Sequence, residues 1–283
     1  MLEKWNWICN RKRIWGECMI GAVLGDIIGS TYEWHNVKTE QFELFPSGSR
    51  FTDDTVLSVA VADKLLNANN VTLNNKEVYA MWYRQYYKRY PNAGFGQMFS
   101  SWAESDCKKI QRSYGNGAAM RVSAIGYAFD STKEIIREVN ASCYFTHNHW
   151  EAKAGAQAVA IAVFLARKQI DKGEIKKYLE KKYKYRFVPL DELRDGYVFN
   201  SRTSYSVPPA IEAFFESVSY EDAIRKAISI GGDSDTIACI AGGIAQAYYG
   251  TIPREIYDRG IALLDTGLRR TIREFEEMYK IKR

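Results

Sequence analysis

The stretch FTDDTVLSVAVADKLL, residues 51–66, places two adjacent carboxylates between two threonines at the start of an apolar run. Thr52 suits the N-cap of a helix, where its hydroxyl can accept a hydrogen bond from a free backbone N–H. Asp53 and Asp54 would then lie in the first turn, where the helix dipole favours negative charge. The stretch therefore predicts a buried helix, and capping alone is enough to explain its polar start.

A second stretch, GGDSDT at residues 231–236, has a similar arrangement and also precedes an apolar, small-residue run, here 237–249. Both stretches offer carboxylate and hydroxyl oxygens, which are the ligands that Mg²⁺, Ca²⁺ and Mn²⁺ prefer. If the two helix starts meet, four carboxylates converge. Two like charges about 4 Å apart repel by about 4 kcal/mol at an effective dielectric of about 20. Such a cluster needs bound cations or raised pKa values, and we favour bound metal.

The composition narrows the class of protein. The 283 residues carry a formal net charge of +5, and the basic residues are scattered, so no nucleic-acid-binding surface is predicted. Five cysteines lie far apart without a CxxC pair. This spacing predicts free thiols in a reducing compartment, hence a cytoplasmic protein, and neither a zinc site nor a disulfide framework. No apolar stretch is long enough to predict a membrane span.

Residues 1–18 differ from the rest of the chain, because tryptophans alternate there with basic residues. They lack the continuous apolar region of a signal peptide. The first clear helical pattern begins at Met19. We therefore expect residues 1–18 to be a peripheral or non-native extension and residues 19–283 to form a single domain. A short amphipathic arm that covers a surface patch is the alternative for the extension.

Residues 19–34 predict a helix with small residues, mostly glycine, at about every fourth position. Glycine at this spacing permits close approach of a second backbone. Asp26 and Glu33 interrupt the pattern and, seven residues apart, would share one face of that helix. Because acids are seldom buried without a partner, a functional role for Glu33 and a pair of surface acids are both open.

The loop at residues 113–117, SYGNG, precedes a predicted helix over 118–129. A glycine-flanked loop at a helix start offers free N–H groups to a phosphate, although Gly-Asn-Gly is also an ordinary turn. Arg121 in that helix is expected to form a structural ion pair. His147 and His149 lie two residues apart and cannot share a helical face, so no zinc site is predicted. His149 suits the start of a helix instead.

The remaining chain is helical in pattern, and no segment predicts a strand by two-residue alternation. Further helices are predicted over 74–88, 95–106, 132–145 and 152–166, a lysine-rich one after 171, one that Pro208-Pro209 starts, one from 220, and one from 253 toward the C-terminus. The segment 185–206 is predicted to be irregular. The fold class is therefore all-α, one domain with helices packed around small-residue helices.

Together these motifs resemble the ADP-ribosylglycohydrolase family, also called the dinitrogenase reductase-activating glycohydrolase family. The matching stretches are GAVLGDIIGSTYE at 21–33, FTDDT at 51–55, YGNGAAMR at 114–121, Thr146-His147, and GGDSDT at 231–236. They occur in the family's order, and the two Asp/Asp/Thr motifs are the most specific part of the match.

The resemblance implies an all-α orthogonal helical bundle with two Mg²⁺ or Mn²⁺ ions, over residues 19–283 as the catalytic domain. It implies hydrolysis of the bond between ribose C1″ of ADP-ribose and a protein side chain or small acceptor, with ADP-ribose as product. By motif match, the metal ligands are Thr52, Asp53, Asp54, Asp233, Asp235 and Thr236. The residues expected to be catalytic are Glu33 and Asp54. The residues expected to bind substrate are Ser113, Tyr114, Gly115, Asn116, Gly117, His147 and Ser234.

The acceptor linkage is left open by the sequence. Arginine-linked ADP-ribose on a modified protein is the first expectation, and serine-linked ADP-ribose, O-acetyl-ADP-ribose and modified nucleic acid are alternatives. A non-catalytic ADP-ribose-binding module is disfavoured, because all six matched metal positions keep liganding residues. A terpene-synthase-like Mg²⁺ enzyme is also disfavoured, since Leu57 stands where its Asp-Asp-x-x-Asp pattern requires an acid.

Overall fold

The structure, a computed structural model, describes residues 19–68, 72–105 and 109–279. Over these residues the regular structure consists of fourteen α-helices, with a 3-10 turn at Asn116–Ala118 and two isolated β-bridges. The prediction of an all-α fold is confirmed. The prediction made for residues 1–18 lies outside the described residues.

The helices follow one another through turns and loops. In chain order they are α1 (Ile20–Gly29), α2 (Asp53–Asn67), α3 (Asn75–Arg89), α4 (Gln97–Glu104), α5 (Ser123–Ala128), α6 (Thr132–Cys143), α7 (Trp150–Arg167), α8 (Lys172–Tyr183), α9 (Leu190–Arg194), α10 (Thr203–Glu216), α11 (Tyr220–Ser229), α12 (Ser234–Tyr249), α13 (Arg254–Ala262) and α14 (Thr266–Met278). The buried α12 lies at the centre and packs against α1, α7, α10 and α11. None of the described helices is both long and apolar enough to cross a membrane.

The glycines of α1 face α12 at very short range. A Cβ atom on Gly25 would lie 2.1 Å from the carbonyl oxygen of Ala238, and one on Gly29 would lie 2.5 Å from that of Ser234. The close backbone approach predicted from the glycine spacing is therefore confirmed. It brings the end of α1 against the start of α12, where the second acidic stretch lies.

Helix α1 is shorter than predicted and ends at Gly29. Glu33 lies in the turn beyond it and does not share a helical face with Asp26, so that part of the prediction is wrong. The reason is a contact with a distant loop. The Asn36 side chain donates to the carbonyl oxygen of Tyr32 at 2.6 Å and accepts from the backbone N–H of Gly232 at 2.7 Å.

Other helix limits also depend on distant contacts. The helix predicted over 118–129 is reduced to α5, behind the 3-10 turn. Helix α10 starts before its two prolines rather than at them, because the N–H of Thr203 donates to the carbonyl oxygen of Tyr114 at 3.1 Å. The last predicted helix is divided into α13 and α14, since Asp265 caps a new helix there. The segment predicted to be irregular contains the short α9.

Candidate active site

A cavity of about 480 Å³ lies where the starts of α2 and α12 meet the 113–117 loop. Most of the predicted site residues line it. They are Glu33, Thr52, Asp53, Asp54, Ser113, Gly115, Asn116, Gly117, His147, Asp233, Asp235 and Thr236. The two acidic stretches therefore converge on one cavity, together with the loop and the histidine.

Two predicted residues do not line this cavity. The ring of Tyr114 is exposed and lies edge-on to His149, with the ring centroids 5.8 Å apart. The hydroxyl of Ser234 is buried and donates to the carbonyl oxygen of Tyr32 at 3.3 Å. Ser234 thus links the 231–236 stretch to the turn after α1, and the ring of Tyr114 lies outside the cavity.

The acids form a tight cluster. Carboxylate oxygens of Glu33, Asp233 and Asp235 lie within 4.8 Å of one another. Asp54 joins them through the hydroxyl of Thr236, which lies 3.4 Å from Asp54 Oδ2. The other carboxylate oxygen of Asp54 is buried and has no hydrogen-bond partner among the described residues.

Burial and mutual repulsion raise the pKa values of this cluster. Burial, then Asp233, raises the pKa of Glu33 to about 7. Burial, then Asp26 and Asp233, raises the pKa of Asp53 to about 8. The pKa values of Asp54 and Asp235 also lie well above their usual range, again through burial first and neighbouring carboxylates second. A set of buried oxygen donors with an unpartnered carboxylate oxygen fits a hard divalent cation, whose charge would restore the ionised forms.

Asp26 organises one side of this cluster, and the sequence analysis missed its role. Its carboxylate accepts hydrogen bonds from the backbone N–H groups of Thr52, at 2.9 Å, and Thr55, at 3.0 Å, and from both hydroxyls. The Thr52 hydroxyl also accepts from the N–H of Asp54, so the predicted N-cap is confirmed. An acid inside a glycine-spaced buried helix was the available signal for this role.

The 113–117 loop is arranged differently from the predicted phosphate cradle. It opens a 3-10 turn instead of an α-helix, and the N–H groups of Gly115 and Gly117 already donate to Ser113 Oγ and Asn116 Oδ1. The Asn116 amide also donates to Asp233 Oδ2 at 2.7 Å. Asn116 therefore ties the loop to the acidic cluster, a link that no local pattern in the sequence predicts.

Arg121 and His147 lie at the inner wall of the cavity. The ion pair expected for Arg121 is not found among the described residues. Its buried guanidinium instead lies over Tyr83, with Cζ 4.2 Å from the ring centroid, and donates to the hydroxyl of Thr146 at 2.9 Å. Burial and, secondarily, Arg121 hold the pKa of His147 well below its usual range, so the imidazole is neutral. His149 caps α7, as predicted.

Two aromatic rings stand at the edge of the cavity beside Glu33. Trp34 and Phe199 stack with centroids 5.5 Å apart and an interplanar angle of 22°. They are 71% and 45% exposed, which is unusual for large apolar side chains in mutual contact. Trp34 directly follows Glu33 in the chain, and this adjacency was a signal for Trp34, whereas no local pattern links it to Phe199.

Comparison with known proteins gives consistent matches. A sequence profile of the ADP-ribosylglycohydrolase family matches residues 10–278. The ADP-ribosylhydrolase ARH3 of Homo sapiens is 29% identical over 312 aligned positions, which cover 82% of this chain and 84% of the relative. The Mus musculus ARH3 is 28% identical, with coverage of 82% and 83%. A solved structure described as an ADP-ribosylglycohydrolase-related protein complex shares the fold, with a TM-score of 0.62, 22% identity, and coverage of 93% of this chain and 95% of that chain.

Proposed function

Since this chain belongs to the ADP-ribosylglycohydrolase family and is a hydrolase of ADP-ribosyl conjugates, we propose that its acidic cluster binds two divalent ions, Mg²⁺ or Mn²⁺, for that reaction. The main support for the proposal is the short distance between the carboxylate oxygens of Glu33, Asp233 and Asp235. An oxygen of Asp54 without a hydrogen-bond partner among the described residues lies beside them. Thr52, Asp53 and Asp54 would hold the ions from α2. Asp233, Asp235 and Thr236 would hold them from α12.

The roles of the side chains follow from their chemistry. Bound ions would orient the ribose diol, lower the pKa of a water, and stabilise charge at the departing bond. Burial raises the pKa of Glu33 to about 7 in the metal-free protein, and bound ions would favour its ionised form, which can accept a proton. Asp54 is the second candidate for proton transfer. The surrounding carboxylates supply negative charge next to an oxocarbenium-like centre at C1″.

We propose that the ADP-ribose moiety occupies the cavity along the 113–117 loop. The hydroxyl of Ser113 accepts from the N–H of Gly115 and keeps its own hydrogen to donate. Gly115 leaves room for the hydroxyl of Ser113 and Gly117 for the ring of His147, while Asn116 acts through Asp233. Tyr114 offers an exposed ring outside the cavity, and Ser234 contributes through the loop that it holds.

We propose arginine as the acceptor side chain, with serine-linked, acetyl and nucleic-acid-linked ADP-ribose as alternatives. The support is the exposed Trp34–Phe199 pair beside Glu33, because a planar guanidinium stacks well on aromatic rings. A serine or acetyl linkage brings no planar cation to this edge. The pair therefore favours the linkage whose leaving group is a guanidinium.

A panel of defined ADP-ribosyl linkages, assayed with Mg²⁺, Mn²⁺ and EDTA, tests these proposals. We expect the highest kcat/KM for the arginine linkage and no release of ADP-ribose in EDTA. Trp34→Ala should lower kcat/KM for the arginine linkage more than for the others, whereas Val218→Ala, at an exposed apolar residue that does not line the cavity, should change none. Preference for another linkage would contradict the arginine proposal. Binding of ADP-ribose without any release would indicate a non-catalytic module.

We also propose that residues 19–283 form the catalytic domain and that residues 1–18 are peripheral to it, because every predicted site residue follows Met19. Equal melting temperatures and activities of the full chain and of a chain that starts at Met19 would support this division. A cytoplasmic location is proposed on the free, buried thiols of Cys143 and Cys239, and cell fractionation would test it.

A further inference from the structure

Three side chains form a hydrogen-bonded chain behind the 113–117 loop. Nη2 of Arg121 lies 2.9 Å from Oγ1 of Thr146, and this oxygen lies 2.9 Å from Nδ1 of His147. All three side chains are buried, and both Arg121 and His147 line the cavity. His147 is among the residues predicted to bind substrate, and the contacts that hold its ring were not predicted.

The direction of these hydrogen bonds follows from what each group can do. A guanidinium only donates, so the Thr146 oxygen accepts from Arg121. The Thr146 hydroxyl then has one hydrogen to donate, and Nδ1 of His147 is the acceptor next to it. Leaving a buried hydroxyl hydrogen unpaired would cost free energy. We infer that Arg121 and Thr146 are positioning residues that fix His147 in the tautomer with a bare Nδ1 and a hydrogen on Nε2.

The Nε2 atom of His147 lies next to Gly117 of the 113–117 loop, and His147 lines the cavity. A Cβ atom on Gly117 would lie 3.3 Å from Nε2. Because the N–H groups of Gly115 and Gly117 are already used within the loop, an incoming anionic oxygen needs a side-chain donor there. His147 supplies that donor through Nε2–H, to a phosphate or ribose oxygen of ADP-ribose.

Together with burial, the positive charge of Arg121 lowers the pKa of His147 and keeps its imidazole neutral. Its Nε and Nη1 atoms have no hydrogen-bond partner in the described part of the chain. The guanidinium therefore lies close to His147 without a neutralising acid bonded to it, and it opposes a second positive charge on the imidazole. Since the ring stays neutral, the tautomer rather than the protonation state decides whether Nε2 donates.

The tautomer can be read directly by ¹⁵N NMR on full-length protein with labelled histidines. The chain has three histidines, so the signals of His147 are those that disappear in His147→Gln. We expect the ligand-free protein to show a protonated Nε2 and a bare Nδ1. Thr146→Val, which keeps the shape and removes the hydroxyl, should lose this single tautomer and weaken ADP-ribose binding about fivefold, the effect of one neutral hydrogen bond. Thr146→Ser, which keeps the hydroxyl, should retain both.

Two results would overturn the inference: a hydrogen on Nδ1 in the wild-type protein, or a folded Thr146→Val protein with an unchanged tautomer. The choice of ADP-ribose as ligand rests on the proposed function, and the tautomer does not. A wild-type protein that shows the expected tautomer but neither binds ADP-ribose nor releases it would support the positioning role and overturn the proposed function alone.

Discussion

Glu33 combines a raised pKa with a position that local and long-range hydrogen bonds of Asn36 maintain. Burial and Asp233 raise its pKa to about 7 in the metal-free protein, and bound cations would favour its ionised form. The chain around it is held by Asn36, which bonds to Gly232 at the start of the second acidic stretch. An acid with these properties is suited to proton transfer at a glycosidic bond.

Replacing Glu33 with glutamine should therefore slow the hydrolytic step and leave the binding of ADP-ribose nearly unchanged. We expect Glu33→Gln to lower kcat by about 10²- to 10⁴-fold, the range typical of a lost general acid or base. The dissociation constant of ADP-ribose, measured by calorimetry, should stay within a few-fold of the wild-type value. Glu43→Gln, at an exposed acid in the same region that does not line the cavity, is the matched control. A Glu33→Gln protein that keeps half of its kcat would rule out this role.

Gly117 leaves room for the ring of His147. A valine there would bring its Cβ to 3.3 Å from Nε2 and to 3.4 Å from Cε1, so the ring would have to shift. We expect Gly117→Val to weaken ADP-ribose binding about tenfold or more, a loss of about 1.4 kcal/mol, with a melting temperature close to that of the wild type. Gly196→Val has open space around its Cβ and should leave binding unchanged. Normal affinity in a folded Gly117→Val protein would show that the ligand does not depend on this position.

At the scale of elements, the packing of α1 on α12 sets the geometry of the site. A Cβ on Gly25 would lie 2.1 Å from a backbone oxygen of α12, and this clash could be relieved only by moving the backbone of one of the two helices. We expect Gly25→Ala to lower the free energy of unfolding by about 3 kcal/mol or more, measured in urea. Gly196→Ala should change it by about 0.5 kcal/mol or less. A loss below about 1 kcal/mol for Gly25→Ala would mean that the two helices can separate without disrupting the fold.

The existence of most helices could be predicted from the sequence, and several of their ends could not. Periodicity and capping residues identify α2, α3, α6 and α7 within a few residues, because these signals are local. The end of α1 depends on Asn36 and Gly232, and the start of α10 depends on Thr203 and Tyr114. Such pairs lie far apart in the chain, so no local pattern contains them. The start of α14 was readable, since Asp265 is an ordinary N-cap.

At the scale of the whole molecule, the buried acids couple stability to pH. Glu33 and Asp53 have pKa values of about 7 and about 8 in the folded protein, above the ordinary values of 4.5 and 3.8. Between these values the folded state binds more protons than the unfolded state, so the free energy of unfolding falls as pH rises. We expect the EDTA-treated protein to melt at a lower temperature at pH 8 than at pH 6, and Mg²⁺ or Mn²⁺ to reduce the difference. A melting temperature that rises with pH in EDTA would contradict this.

The residue types of the candidate site could be predicted, but their connections could not. Two Asp/Asp/Thr stretches are recognisable because the same composition recurs at the starts of two apolar helices, although capping alone would explain the first of them. The two stretches meet because α1 lies between them. Asp26 of α1 accepts hydrogen bonds from the start of α2, and the glycines of α1 pack against α12. The fold brings Asp233 to Asn116 and Arg121 to Thr146, although His147, the second partner of Thr146, is its neighbour in the chain. Asn116 was predicted to bind substrate and Thr146 stands in a matched stretch, but their contacts with Asp233 and Arg121 follow no local pattern, so those contacts could not be predicted.

The central claim is that the converged acids of α2 and α12 hold two divalent ions, and the most direct test is calorimetric titration of Mn²⁺ into metal-free protein. The account predicts saturable binding of two ions per chain. It also predicts loss of binding at one or both sites in Asp235→Asn, and unchanged binding in Asp191→Asn, where an exposed carboxylate outside the cavity is altered. The absence of saturable Mn²⁺ binding, or two ions bound as tightly by Asp235→Asn as by the wild type, would contradict it.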